Sequence, residues 1–154
     1  MIAANVMSTN VISLNLSSQV KDAITLFQTS KLHDFPIIDD VGKPIGIVTT
    51  RSILHFAVPE YASDDLLSVI KYGPDISSVY ENLAAVRHHT IADVMDKNFM
   101  VAKPDMPTSA IAAMLINLKG DTHNILIVDA AGVLIGIISA RDIITKQLKN
   151  TQTN

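Results

Sequence analysis

A chain of 154 residues is long enough for one ordinary domain or for two small lobes that share a core. Its formal net charge is -3, charged residues make up only 18% of it against 48% hydrophobic residues, and it contains no cysteine. So low a charged fraction predicts that some apolar surface is covered by a partner, which fits self-association. The lack of cysteine excludes disulfides, thiol catalysis and thiolate metal sites.

Charge and hydropathy patterning exclude two classes of partner. The chain has no run of Lys or Arg that could follow a phosphate backbone, so nucleic acid and anionic membranes are not expected partners. The longest apolar run, Ala130 to Ile138, is interrupted by two glycines and is about half the ~20 residues that a membrane span needs. Residues 1–5 lack the basic flank and apolar core of a signal peptide. We therefore expect a cytoplasmic protein.

Residues 1–57 form the first predicted unit, with the element order β-α-β-β-α. A short strand leads into an amphipathic helix that begins at Ser17 or Ser18, because apolar residues follow at helical spacing. Two strands around a turn at Gly42 come next, and a second helix closes the unit. The predicted bounds are Val11 to Leu14, Pro36 to Asp39, a strand ending at Thr49, and a helix from Thr50 to about Ala57.

Residues 58–89 belong to neither unit and predict a helical insertion. A first helix is expected to begin at Ser63-Asp-Asp65 and to end near Gly73-Pro74. A second is expected from about Asp75 or Ser77 to His88. The insertion could pack on the two units or extend an oligomer contact.

Residues 90–149 repeat the first unit, and residues 150–154 are expected to form a flexible tail. Val6-Met7 matches Val94-Met95 at an offset of 88, whereas Gly46 and Arg51 match Gly136 and Arg141 at an offset of 90. Two residues are therefore inserted before the second strand of this copy. Its predicted elements are a strand over Phe99 to Val101, a helix from about Thr108 that Gly120 stops, strands over Ile125 to Asp129 and up to Ser139, and a helix from Ala140 to about Leu148.

Neither copy is large enough to bury both faces of its sheet alone. Two copies should therefore pack together in one α+β fold.

The second copy ends in Gly-Ile-Ile-Ser139-Ala-Arg141-Asp142, which has two interpretations. Ser139 and Asp142 have the spacing of a capping box, so the motif could be a helix start and nothing more. A helix N-terminus also attracts phosphate, an arginine adds a forked donor, and a carboxylate suits the vicinal hydroxyls of a sugar. The motif could therefore hold a ribose phosphate. Thr49-Thr-Arg51-Ser52 keeps the cap and loses the carboxylate.

The doubled pattern resembles a tandem cystathionine-beta-synthase (CBS) domain pair, the regulatory Bateman module. The likeness is carried by the Phe35-Pro-Ile-Ile-Asp39 strand, the Asp-x-x-Gly turn and the Gly-Ile-x-Thr/Ser-x-Arg-Asp/Ser ending. The resemblance implies two repeats related by a pseudo-twofold axis, with two clefts for adenosine-containing ligands such as AMP, ADP, ATP or S-adenosylmethionine. It also implies a disc-like homodimer that signals to a regulated partner, whose identity stays unknown.

The resemblance further implies which residues would line each cleft. Asp142 would hold the ribose and Arg141 and Ser139 would lie near the phosphates, while the base would lie against Ile12, Ser13, Leu32, His33, Asp34 and Phe35. The second cleft would be lined by Thr49, Arg51, Ser52, Met100, Val101, His123 and Asn124. We expect this second cleft to be weak or empty, because one hydroxyl at Ser52 cannot accept from both ribose hydroxyls. Phe35 could equally be a core residue.

No other constellation points to catalysis or to a metal. The five histidines lack partners at ligand spacing, although His33 and His123 could contact a phosphate. Ser139 has no base in its motif, and no Walker sequence is present. Three hypotheses remain: a non-catalytic sensor of adenine nucleotides, a ligand-free interaction or structural module that uses residues 58–89 as its contact surface, and an enzyme of unrecognised chemistry.

Overall fold

A computed structural model describes residues 1–58 and 77–151, and it confirms the predicted α+β fold of two repeats. The first repeat contains α1 (Ala3–Val6), β1 (Leu14–Asn15), α2 (Val20–Thr29), β2 (Asp34–Ile38), β3 (Pro44–Thr49) and α3 (Thr50–Ala57). Helix α4 (Ser77–Val86) comes next and belongs to the insertion. The second repeat contains α5 (Ile91–Val94), β4 (Val101–Ala102), α6 (Thr108–Ile116), β5 (Asn124–Val128), β6 (Leu134–Ser139) and α7 (Ala140–Thr151).

Each repeat forms its own three-stranded sheet. The strand orders are β1-β2-β3 and β4-β5-β6, with a parallel first pair and an antiparallel second pair in both. The hairpin turns are alike as well, because Asp39 and Asp129 each accept two main-chain bonds and the glycines that follow, Gly42 and Gly132, have φ of 88° and 84°. The predicted repeat is therefore present in the register of the strands and in the turns.

The first segment of each repeat crosses over to the other repeat. Main-chain bonds join Ser8 to Ile137 in both directions, at 2.9 and 3.0 Å, and join Asp96 to Ile47 in the same way, at 2.8 and 2.7 Å. Helix α1 consequently contributes Ala3 and Val6 to the core of the second repeat, whereas α5 contributes to the core of the first. The two bonded pairs occupy equivalent positions, which gives the molecule its pseudo-twofold relation.

Several predicted boundaries differ from the observed ones. Helix α2 begins at Val20, because the main-chain N–H of Gln19 donates to Asp22 at 2.9 Å and thereby starts the helix after the two serines. Helix α6 ends at Ile116, so Gly120 lies in the following loop with φ of 83° and does not stop the helix. The first strand of each repeat is only two residues long and begins later than predicted.

The described part of the insertion contains one helix, α4, which is followed by a turn at residues 87–89. Helix α4 ends at Val86, close to the predicted end of the second insertion helix, and Val86 is buried in the core of the first repeat. The amide of Asn82 donates to the carbonyl of Ala57 at 3.1 Å and so caps the end of α3. The helix predicted from Ser63 lies outside the described residues. Within the described residues, no helix is both long and apolar enough to cross a membrane.

Candidate nucleotide-binding clefts

A cavity of about 510 Å³ opens between the two repeats, and we call it the Asp142 cleft. Seven of the nine residues predicted for this site line it. Its full lining draws on both repeats and comprises Ser8, Asn10, Ile12, Lys31, Leu32, His33, Asp34, Pro36, His123, Asn124, Ile137, Ser139, Arg141 and Asp142. Its size lies within the range of small-molecule sites, about 300–1,000 Å³. The sequence motif and the crossover segment thus meet at one concave surface.

The cleft has its acid at the start of helix α7. Strand β6 ends at Ser139, whose main-chain N–H and hydroxyl both donate to Oδ2 of Asp142 at 2.8 Å, while Oγ of Ser139 accepts from the Asp142 N–H at 3.2 Å. These reciprocal bonds form the capping box that the spacing predicts. They fix the carboxylate at the junction of strand and helix, where it lines the cleft.

The other carboxylate oxygen of Asp142 also has partners. Oδ1 lies 2.9 Å from the ammonium of Lys146 and accepts from the Ser8 hydroxyl at 3.3 Å. Burial raises the pKa of this carboxyl, but bonds from Ser139 and the charge and bond of Lys146 outweigh burial, so the pKa lies below its ordinary value. Asp142 is therefore an ionised acceptor at neutral pH.

The rest of the wall separates into cationic and apolar parts. Arg141 and Lys31 are exposed, and neither forms an ion pair with any residue that the structure describes. Ile12, Leu32, Pro36 and Ile137 supply apolar surface. A ligand with one anionic end, a polyhydroxyl centre and a flat apolar end would find a matching partner at each part of this wall.

Asp34 differs from its predicted place against a base. Its carboxylate accepts from the Thr122 hydroxyl at 3.0 Å, from the His123 N–H at 3.1 Å and from the Asn124 amide. Asp34 and Asn124 are equivalent residues of the two repeats, so their bond crosses the pseudo-twofold axis. A buried carboxylate with three donors holds the repeats together and has little capacity left for a ligand.

Two other predicted residues do not line the cleft. Phe35 is 0% exposed and packs on Phe27 with ring centroids 4.8 Å apart, so the structure gives it the core position that the sequence left open. Ser13 is also outside the lining. It precedes β1, whose pairing with β2 begins only at Leu14.

The second cleft is smaller, about 340 Å³, and is lined by His33, Thr49, Thr50, Arg51, Gly120, Asp121 and His123. Arg51 pairs across it with Asp121 at 3.4 Å. Ser52 is buried and bonded to Thr49, with its hydroxyl accepting from the Thr49 N–H at 2.9 Å and donating to the Thr49 carbonyl at 3.0 Å. Ser52, Met100, Val101 and Asn124, all predicted here, do not line this cleft.

The histidine pair links the two clefts. His33 and His123 are equivalent residues of the two repeats, and each lines both cavities. Both are exposed. Among the described residues, no group of three or more His, Asp or Glu side chains is placed to hold a metal ion.

Five residues of the Asp142 cleft were predicted for neither cleft: Ser8, Asn10, Lys31, Pro36 and Ile137. His123 and Asn124, which also line it, were predicted for the second cleft. Ser8 and Asn10 follow Val6-Met7, the first matching pair of the repeat, but nothing in the spacing indicates that this segment crosses to the other copy. Lys31 and Pro36 directly flank the predicted stretch 32–35, so a stretch longer by one residue at each end would have included them.

The comparisons with known proteins agree with this architecture. The CBS domain family matches twice, at residues 3–58 and 91–149, and the chain therefore belongs to the CBS domain family as a tandem pair. Both matches are to this domain rather than to a catalytic one.

Relatives share the pair in different contexts. An uncharacterized protein of Methanocaldococcus jannaschii is 28% identical over 134 residues, covering 80% of this chain and 77% of that protein. Inosine-5'-monophosphate dehydrogenase of Nitrosopumilus maritimus is 26% identical over 141 residues, which cover 92% of this chain but only 23% of the enzyme. The chain thus spans about a quarter of that enzyme's length.

Solved structures share the fold at low sequence identity. The CBS-pair protein CBSX2 from Arabidopsis thaliana has a TM-score of 0.74 at 20% identity, covering 99% of this chain and 98% of that one. CBSX2 in complex with AMP has a TM-score of 0.70 at 20% identity, covering 97% and 98%. A CBS domain-containing protein from Bacillus anthracis has a TM-score of 0.74 at 18% identity, covering 99% and 95%.

Proposed function

We propose that the protein is a non-catalytic regulatory module that binds an adenosine-containing nucleotide in the Asp142 cleft. AMP, ADP, ATP and S-adenosylmethionine are the candidate ligands. The observation that carries the proposal is an ionised carboxylate at a helix start, in the wall of a cleft that also presents two cations without ion-pair partners among the described residues. That CBSX2 forms a complex with AMP supports the choice of ligand class.

Each part of the cleft suits one part of such a ligand. Asp142 would accept from the ribose hydroxyls, as acids do in dinucleotide folds. Arg141 and Lys31 would pair with the phosphate, with His33 and His123 beside them. The base would lie against Ile12 and Leu32, which are 38% and 43% exposed and so leave apolar surface for a ring to cover.

We expect the second cleft to bind weakly or not at all. Arg51, the one arginine or lysine among the described residues that line it, is already paired with Asp121. The hydroxyl of Ser52, which stands where the first site has a carboxylate, is consumed by its own helix cap. One ligand per chain is therefore the expected stoichiometry.

The test is thermal unfolding with each of the four ligands. A ligand at 100 times its dissociation constant stabilises the folded state by about 2.7 kcal/mol, which for a chain of this size raises Tm by roughly 5–10 °C. Asp142→Ala should abolish this rise. Asp22→Ala is the matched control, because Asp22 accepts the Gln19 main-chain N–H at the start of α2, as Asp142 accepts that of Ser139, but lies outside the cleft. It should keep the rise. An equal rise in Asp142→Ala would refute the site.

A second function has one observation in its favour. Each oxygen of Asp142 already has two donors, so the carboxylate could serve only the fold. The protein would then be a ligand-free interaction or structural module. Failure of all four ligands to shift Tm of the wild type would favour this alternative.

Signalling is proposed to pass through a homodimer to a regulated protein. Ile116, on α6, is 84% exposed and Ile144, on α7, is 60% exposed, and together they form an apolar face that a second copy could cover. Occupancy of the cleft would change the relation between the repeats, and the dimer would transmit that change.

A further inference from the structure

Among the residues that the structure describes, Lys146 is the one outside the cleft wall whose side chain bonds directly to the proposed ribose-binding acid. Its ammonium lies 2.9 Å from Oδ1 of Asp142, and it donates to the Val6 carbonyl at 2.7 Å and to the Ser8 hydroxyl at 3.3 Å. An ammonium has three donors, so these three acceptors use all of them. Lys146 therefore joins helix α7 to the crossover segment of the first repeat.

The same contacts leave the carboxylate without spare acceptor sites. Its two oxygens offer about four lone-pair positions. Oδ2 receives the N–H and hydroxyl of Ser139, and Oδ1 receives Lys146 and the Ser8 hydroxyl. A ribose diol can therefore bind only by replacing one of these donors. Lys146 and Ser8 are the candidates, because replacing Ser139 would undo the helix cap.

The other repeat shows that this arrangement is not required by the fold. The equivalent of Lys146 is Phe56, whose ring lies 4.9 Å from that of His89, and the equivalent of Asp142 is Ser52. Helix α3 begins after the same strand with its cap intact and without a cation one turn further on. The lysine thus occurs only in the repeat that has the acid.

We propose that Lys146 is a latch that occupies Asp142 in the ligand-free protein, and that a ribose-bearing ligand binds by displacing its ammonium from Oδ1. This inference rests on the proposed function and adds a regulatory element to it. Lys146 is a positioning residue, since it acts on the ligand through Asp142. Lys146 lies in the second repeat and also bonds to Val6, in the segment of the first repeat that packs on the second. Displacing the Lys146 ammonium therefore changes a contact between the two repeats.

The affinity cost of the latch follows from its exposure. The side chains of Asp142 and Lys146 are 18% and 39% exposed, so the pair is screened less than a surface pair but more than a buried one. Removing Lys146 should therefore strengthen ligand binding by about 3- to 10-fold. For an anionic ligand, the loss of the lysine's positive charge would by itself weaken binding. Freeing Asp142 and removing the charge therefore change the affinity in opposite directions.

The experiment is calorimetric titration of the full chain with AMP. The proteins are wild type, Lys146→Met, Lys146→Arg and Lys21→Met. Lys21→Met removes the same charge from an exposed helical position that has no ion pair with a described residue and lines neither cleft. It therefore measures the effect of charge alone. We expect tighter binding only for Lys146→Met, with Lys146→Arg near wild type because a guanidinium keeps the pair with the carboxylate.

Each result decides the question. Tighter binding by Lys146→Met than by Lys21→Met supports the latch, and so does binding by Lys146→Met where the wild type shows none. If the wild type binds AMP and Lys146→Met binds it no more tightly than Lys21→Met does, the latch is overturned and the proposed function still stands. Absence of AMP binding in every variant overturns the latch and counts against the proposed function at the same time.

Discussion

At the scale of single residues, the decisive group is the carboxylate of Asp142. It caps its own helix through Ser139 and also faces a cleft, so the structural and the functional interpretations of one motif describe the same atoms. The two roles differ in what each oxygen needs: the cap uses Oδ2, whereas Oδ1 is shared between Lys146 and Ser8. A ligand could therefore replace a donor at Oδ1, but not at Oδ2, without disrupting the start of the helix.

The lowered pKa of Asp142 predicts how stability depends on pH. A carboxyl with a lowered native pKa stabilises the fold fully above its unfolded pKa, about 3.9, and this contribution disappears as the pH falls through the native pKa. Asp142→Asn should therefore cost about 1–2 kcal/mol of unfolding free energy at pH 6 and progressively less below about pH 4.

Urea unfolding at pH 6, 5, 4 and 3 measures this difference. Asp105→Asn is the control for net charge, because Asp105 is exposed and has no side-chain bond to the described residues. A wild-type advantage over Asp142→Asn that stays constant down to pH 3 would contradict the pKa assignment.

At the scale of elements, the crossover segments explain why the sequence repeats both a Val-Met pair and a strand glycine. A side chain added at Gly136 would place its Cβ 2.7 Å from Sδ of Met7 and 3.2 Å from the Ser8 carbonyl oxygen, and Gly46 has the same relation to Met95 and Asp96. The repeated Val-Met pairs and the repeated glycines thus belong to one contact, in which the first segment of each repeat lies on a strand of the other.

That contact predicts the cost of Gly136→Ala. An alanine in a strand is ordinarily more stable than glycine, but here the Ser8 carbonyl is held by the Ile137 N–H at 3.0 Å and cannot move away freely. We expect a loss of about 1–2 kcal/mol and a Tm lower by roughly 2–6 °C.

A double-mutant cycle tests the cause. In a Met7→Ala background the sulfur is gone, so the cost of Gly136→Ala should fall by about half or more. An unchanged cost in that background would show that Met7 is not what the new methyl group meets.

Much of the architecture could be predicted from the sequence because local signals agree in both copies. Strand β3 ends at Thr49 and β6 at Ser139 as predicted, since each hydroxyl begins a helix cap at that point. The crossover could not be predicted, because the pattern of a four-residue helix such as α1 does not specify which core it joins. For the same reason Ser8 was missed, although it bonds to Asp142.

The site was only partly predictable for a related reason. Leu32, His33 and Asp34 of the predicted stretch 32–35 line the cleft, but the sequence does not show where the preceding loop ends and strand β2 begins. His33 lines the cleft, whereas Phe35, two residues later, lies in the core at the start of β2. Such a difference depends on where the strand begins, which sequence patterns fix only to within a few residues.

At the scale of the whole molecule, the two repeats differ in what covers their helical faces. In the first repeat, α2 and α3 form a groove that includes Ile24, Phe27 and Ile53, and Leu83 and Val86 of α4 lie on it. In the second repeat the equivalent groove includes Ala112, Leu115 and Ile143, and no described residue outside α6 and α7 lines it. The first groove therefore shows that an apolar helix fits such a surface.

This asymmetry predicts which face carries the proposed homodimer. Ile144 is 60% exposed on the uncovered face, whereas its equivalent in the first repeat, Leu54, is 48% exposed beside the covered one. A glutamate at the centre of a self-associating apolar face must be desolvated without a partner, so Ile144→Glu should dissociate the dimer at micromolar concentration. Leu54→Glu, the same change at the equivalent position, should leave it intact. Size-exclusion chromatography with light scattering distinguishes the outcomes: a monomeric wild type refutes the dimer, and dissociation by both variants refutes its placement on α6 and α7, since an interface confined to the second repeat cannot be sensitive to a charge on the first.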